Sequence, residues 1–193
     1  MPDRYLIADL FCELLKDGLG LDVDHDVDLV DTPLRYADSL IEMLSGMVDT
    51  NDKANDILSA TFPADGYDEM VTQAGIRATG MCPHHFLPIE YTITVGYVPS
   101  KDGQCVGLSK LARLSELLAA RPIKQEKLTV DIVNYLVSAL SPVGAGTIVS
   151  GVHGCMTCRG VKQRDSSTVT TCLYGSMKDD PKCRAEFLSY RVD

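Results

Sequence analysis

The chain has 193 residues, is 45% apolar and carries a formal charge of −9. That is enough for one domain with a sizeable core, and the charge disfavours general nucleic-acid binding. No apolar run approaches the roughly 18 to 20 residues that span a bilayer, so no membrane association is expected.

The N-terminal MPDRYLIADLFCELLKDG is charged throughout its apolar pattern and lacks a signal-peptide layout. A cytoplasmic location is therefore expected, and the seven cysteines read as thiols or metal ligands rather than a disulfide framework. Charge is uneven along the chain. Residues 1–60 hold fourteen acids and four bases, whereas residues 107–164 hold eight bases and three acids. A basic middle suits either a solvated helical face or a small bound anion.

Residues 3–16 place Leu6, Leu10 and Leu14 beside Ile7 and Phe11, a helical stripe that Gly18 and Gly20 end. The following LDVDHDVDLVD alternates four aspartates but has Val27 and Pro33 where a calcium loop needs Gly and Glu, so it reads as a solvated loop. Asp31-Thr32-Pro33 predicts a capped helix start, running to about Met47. Residues 48–66 read as a short helix and a loop. Residues 69–79 predict a strand, and Ile89, Tyr91, Ile93, Val95 and Tyr97 alternate with Glu90, Thr92, Thr94 and Gly96 in a second. CPHH lies between these strands, in a hairpin connection. Ser109 is expected to cap a helix that Pro122 breaks, and a second helix follows on Leu128, Ile132, Val133, Leu136 and Leu140. Residues 143–153 and 166–174 predict two more strands, and Asp179 to Leu188 a short helix. The order points to α+β with an antiparallel sheet.

Chemistry concentrates in two short words, Cys82-x-His84-His85 and His153-x-Cys155-x-x-Cys158. Thiolate and imidazole are preferred zinc ligands. A lone His or Cys is usually structural, but three of four histidines joining three of seven cysteines points to a metal. Spacing alone does not choose among five candidate ligands and Cys158. Adjacent side chains in extended backbone point to opposite sides, so His84 and His85 would not both bind one ion. The histidine left over is then available for proton transfer.

These words resemble the GTP cyclohydrolase I family, zinc enzymes that convert GTP to 7,8-dihydroneopterin triphosphate. The matching stretches are CPHH (family form CEHH), GLSKLARL, ARPIKQEKLT (close to RPQVQERLT), HGCMTCRGV (HxCMxxRGV) and a Thr-rich strand before the last helix. TPLRYADSL is similar to the family's TPxRxAK helix. The likeness covers roughly residues 30–190. It implies an α+β tunnelling fold: an antiparallel four-stranded sheet with helices on one side and an N-terminal helical segment. Residues 1–66 would form that segment and 67–193 the catalytic domain, in a homo-oligomer, a decamer with sites between subunits.

The resemblance also implies site roles. Zinc would be bound by Cys82, His85 and Cys155, with water in the fourth place to attack guanine C8, which leaves as formate. His153 and His84 would transfer protons. Glu126 would read the guanine N–H edge with Gln125 beside it. Ser109 and Lys110 would lie near the ribose and phosphates, and Arg113, Arg159, Lys127 and Arg35 around the triphosphate.

Three positions depart from the family pattern. Pro83 replaces Glu, removing a carboxylate and a backbone donor; it predicts either a turn held by stiffness or a changed substrate contact. Asp38 replaces Lys and predicts a weaker triphosphate grip. Cys158 is an added thiol: inert, a fourth ligand, or oxidation-sensitive. The alternatives are a cyclohydrolase with altered substrate or product, for instance in a deazapurine pathway, and a non-catalytic zinc-stabilised homologue. A reductase of the same fold is disfavoured, because no Gly-rich dinucleotide loop is present.

Overall fold

The computed structural model describes residues 2–192. Met1 and Asp193, the outer ends of the two expected segments, lie outside the described residues. The N-terminal part is helical. Helix α1 (Arg4–Glu13) is capped by Asp3, whose carboxylate accepts from the backbone N–H of Tyr5 and Leu6 at 3.0 Å. It continues into a wider turn at Leu14–Gly18 and ends before Gly20, which adopts φ +69°. Its apolar stripe does not face a core: Leu6, Leu10 and Leu14 are more than half exposed.

Helix α2 (Thr32–Met43) stops four residues short of the expected end, and a tight turn covers Ser45–Met47. Asp31 stands at the cap position but makes no cap hydrogen bond; its carboxylate accepts from Arg35 at 3.0 Å instead. Two contacts tie α1 to α2. Phe11 stacks on Tyr36 with ring centroids 3.7 Å apart. Arg4 forks onto the Asp38 carboxylate, with Nη2 donating to Oδ2 at 2.7 Å.

That pair explains Asp38. Its carboxylate is the partner of Arg4, held by two hydrogen bonds and ionised below the usual carboxylate range because of them. Asp38→Lys is therefore expected to lower the melting temperature slightly and leave the KM for GTP unchanged. Steady-state kinetics beside a thermal melt checks both, and a lowered KM would return Asp38 to the substrate site.

The rest of the chain is built on one sheet. After α3 (Thr50–Ser59) come β1 (Thr61–Pro63), β2 (Val71–Met81), β3 (Pro88–Val98) and β4 (Gln104–Val106). Then follow α4 (Leu108–Ala119), α5 (Gln125–Leu140), β5 (Gly144–His153), α6 (Gly154–Thr157), β6 (Thr168–Gly175), α7 (Ser176–Asp179) and α8 (Pro181–Ser189). The main sheet runs β2-β3-β5-β6, each neighbour antiparallel, and β1 pairs β4 separately. The short β1 and β4 were not legible as strands, being three residues each. Ser109 does not cap α4; Gly107 holds that position.

The two faces differ. Ile89, Tyr91, Ile93, Val95 and Tyr97 of β3 pack against Leu111, Leu114 and Leu118 of α4 and Leu128, Ile132 and Leu136 of α5. Each fully buried aliphatic side chain contributes about 1.5–3 kcal/mol of transfer free energy. The long helices thus lie on one side, as expected. The opposite face is capped at one end by the C-terminal helices, through Phe187 and Met177. Two glycines make room there: a Cβ at Gly96 or Gly146 would come within 2.9 or 2.7 Å of the Phe187 ring. Phe187→Ala is expected to destabilise the fold by about 3–5 kcal/mol, measured by denaturant unfolding. A loss below about 1 kcal/mol would mean that this face collapses onto the cavity. Among the described residues no helix is long and apolar enough to cross a membrane.

Candidate active site

Register places the two chemical words together. In the pairing of β3 with β5, Ile89 stands opposite His153, and Met81 pairs with Pro88 across the β2–β3 hairpin. The connection that holds CPHH therefore ends one strand away from His153 and the turn of α6 that carries Cys155. Cys82, His85 and Cys155 form a group whose ligand atoms all lie within 4.8 Å of one another. Cys82 Sγ is 3.7 Å from His85 Nδ1.

The connection is a tight turn rather than extended backbone. Phe86 N–H donates to the Cys82 carbonyl and Cys82 N–H to that of Leu87, each at 2.9 Å, and Phe86 takes φ +50°. The turn separates the two histidines, as alternation in a strand would: their rings stand 6.4 Å apart at 83°, and only His85 joins the group. Neither backbone bond of this turn needs a donor at position 83, so proline fits without leaving a hydrogen bond unmade.

Two thiols and one imidazole at this spacing form a donor set suited to a metal ion, and to zinc in particular. Cys158 is not a member. It is exposed, and its thiol donates to the Gly154 carbonyl at 2.8 Å, a bond that closes the turn of α6. All seven cysteines are free thiols.

The group opens on a cavity of about 220 Å³ that also takes in Pro83, His84, Gln125, Glu126, His153 and Thr168. Glu126 lies in the first turn of α5, where the helix N-terminus favours a negative charge. His153 is half-buried, and its pKa is lowered by burial, against the opposing pull of the Glu126 charge. Burial likewise pushes the Cys155 thiol up, helped by its hydrogen bond with Cys82. A second cavity of about 580 Å³ adjoins the first through Pro83, His84, Ile123 and Lys124, and adds Arg121 and Lys127.

The chain matches the family described as GTP cyclohydrolase I over residues 7–191. The chain belongs to that family. It is 39% identical to a GTP cyclohydrolase 1 of Thermobifida fusca over 169 residues, 88% of this chain and 79% of the relative. It is 37% identical to one from Dehalococcoides mccartyi strain CBDB1, over 89% of this chain and 88% of the relative. A Drosophila melanogaster GTP cyclohydrolase 1 is 38% identical over 91% of this chain, which spans 52% of that longer protein.

Seven of the residues expected from the GTP cyclohydrolase I resemblance line the smaller cavity: Cys82, His84, His85, Gln125, Glu126, His153 and Cys155. One of them has several partners within the protein. Gln125 is 2% exposed and its amide is committed within the protein: Nε2 donates to the carbonyls of Val149 and Thr168 at 3.0 and 2.8 Å. Its Oε1 lies 2.8 Å from His153 Nε2. The amide nitrogen has no hydrogen left for a ligand, while Oε1 keeps one further lone pair beside the cavity.

The remaining expected residues do not reach this cavity within one chain. Lys127 lines the larger one and pairs with Asp131 at 2.8 Å. Arg113 lines a separate pocket with Glu42 and Glu116. Arg35 is exposed and paired with Asp31, Ser109 and Lys110 lie at the start of α4, and Arg159 is exposed beyond α6. Sequence reasoning missed the brace behind Gln125: Thr170 Oγ1 accepts from its Nε2 at 3.2 Å and lies 2.6 Å from Thr129 Oγ1. The signal was present, since Thr168 and Thr170 fall on one face of a period-two strand.

Proposed function

We propose that this chain hydrolyses GTP at guanine C8, opens the imidazole ring, releases formate and recloses the product to 7,8-dihydroneopterin triphosphate. The observation that carries the reading is the single cavity in which a Cys–His–Cys group, two further histidines and a glutamate converge. A structural metal would need neither His84, His153 nor Glu126.

Cys82, His85 and Cys155 would hold zinc. Zinc there supplies Lewis acidity that lowers the pKa of water from about 16 to about 7, giving a nucleophile at neutral pH. The Glu126 carboxylate accepts from guanine N1–H and the exocyclic amine, so an analogue lacking those donors leaves a carboxylate unpaired and binds poorly. His153, whose pKa burial lowers, takes a proton, and His84, which faces both cavities, holds or delivers one at the imidazole nitrogens of guanine.

Ser109, Lys110, Arg113, Arg159 and Arg35 would meet the ribose and triphosphate where a second copy of the chain adjoins the cavity, in a homo-oligomer, a decamer by the family pattern. Residues 1–66 would be the N-terminal helical segment and 67–193 the catalytic domain. Free thiols suit a reducing, cytoplasmic compartment.

The test is incubation of the zinc-loaded protein with GTP, following formate and pterin fluorescence. Turnover is expected. Absence of any product from GTP while zinc is bound overturns the reading.

A further inference from the structure

The geometry points to Gln125 as a positioning residue that holds the His153 ring in one orientation and one tautomer, with the proton on Nε2. The inference rests on the catalytic reading of this cavity and deepens it.

It starts from the two ends of one buried amide. Gln125 Nε2 faces the main-chain carbonyls of Val149 and Thr168. Carbonyls only accept, so the amide nitrogen must lie on that side. The amide cannot flip without setting its oxygen against two other oxygens in a buried site and leaving them unpaired. Oε1 is thereby aimed at His153 Nε2, 2.8 Å away. An amide oxygen also only accepts, so Nε2 carries the hydrogen. In the neutral ring Nδ1 is then the lone-pair nitrogen.

Three surroundings keep this arrangement rigid. Gln125 begins α5, and Thr129, one turn on, donates its hydroxyl to the Gln125 carbonyl at 2.8 Å while touching Thr170. The first turn of α5 is thus bonded to β6. Gly151 lies beneath: a Cβ there would strike Gln125 Oε1 and come within 3.0 Å of the Tyr91 ring, so a side chain at 151 would displace the acceptor. Tyr91 meets the His153 ring edge-on, with centroids 6.4 Å apart at 90°, which limits rotation of the imidazole. Nothing in this set requires substrate, so the tautomer is set before GTP arrives.

The first test needs no variant. Neutron diffraction from deuterated, zinc-loaded crystals at mildly alkaline pH is expected to show deuterium on His153 Nε2 and none on Nδ1. Deuterium on Nδ1 alone overturns the inference. The second test is Gln125→Met, which keeps the bulk and removes both polar ends. We expect zinc content unchanged, KM for GTP within about twofold, and kcat down about 10²-fold, the scale of a misdirected proton-transfer group. A raised KM with kcat intact would make Gln125 a substrate-binding residue and overturn the inference. Failure of the catalytic reading is seen separately: the diffraction result would hold while the unmodified protein left GTP intact.

Discussion

Cys155→Ser is expected to remove the metal and the activity together while leaving the fold in place. The residue sits in a four-residue helix at the edge of the main core, half-buried and packed against it, and serine keeps nearly the same volume, so the change opens no large cavity. Its thiol is one of three donors within 4.8 Å. Removing it leaves one thiol and one imidazole, and a serine hydroxyl is a poor replacement for thiolate at a zinc site. Metal analysis of the purified variant should fall from about one zinc per chain to near zero, and turnover of GTP should fall below detection. Circular dichroism should be unchanged. Cys158→Ser is the matched control: its thiol bonds the Gly154 carbonyl, a bond that a serine hydroxyl can also make, so zinc content should stay. Retained zinc in the first variant with loss in the second would exchange the two cysteines in the assignment.

How far the sequence reached can be judged from these same residues. Strands β3 and β5 were legible because a strict period-two pattern and a continuous apolar run leave few other readings. Their pairing was not, because register is a property of the folded sheet; yet it is the register of Ile89 with His153 that brings Cys82 and Cys155 together. The separation of His84 from His85 was expected for a strand, and a turn produces it instead. The partner of Asp38 was out of reach for a related reason. A charge in a helical word says which face it shares, but its partner Arg4 lies 34 residues away, and only the packing of α1 on α2 joins them. The partners of Gln125 were not legible because the carbonyls of Val149 and Thr168 lie 24 and 43 residues away and only the packing of α5 on the sheet brings them to its amide. The N-terminal stripe of Leu6, Leu10 and Leu14 was correctly read as helical but not as exposed; periodicity reports that a face is apolar, not what covers it.

The second large effect is expected at His153. His153→Ala should keep the metal and lose activity, because His153 lines the cavity but is not among the three grouped donors. The loss should be about 10²–10⁴-fold in kcat, the usual range for removing a general acid or base. KM should move little, since in the proposed reading Glu126, and not the imidazole, meets the guanine edge. The variant also removes the partner of Gln125 Oε1, which leaves a buried acceptor unpaired and costs about 1–3 kcal/mol of stability. That cost separates this variant from one at His84, whose ring is exposed and makes no hydrogen bond among the described residues. His84→Ala should lose activity without the stability cost. Zinc analysis, single-turnover kinetics and denaturant unfolding on the two variants together decide the assignment. If His153→Ala loses zinc instead, His153 is a metal ligand, and the roles within the Cys82–His85–Cys155 group must be redrawn. If it keeps zinc and full activity, proton transfer belongs to His84 alone, and the bond from Gln125 serves only to brace β5 against α5.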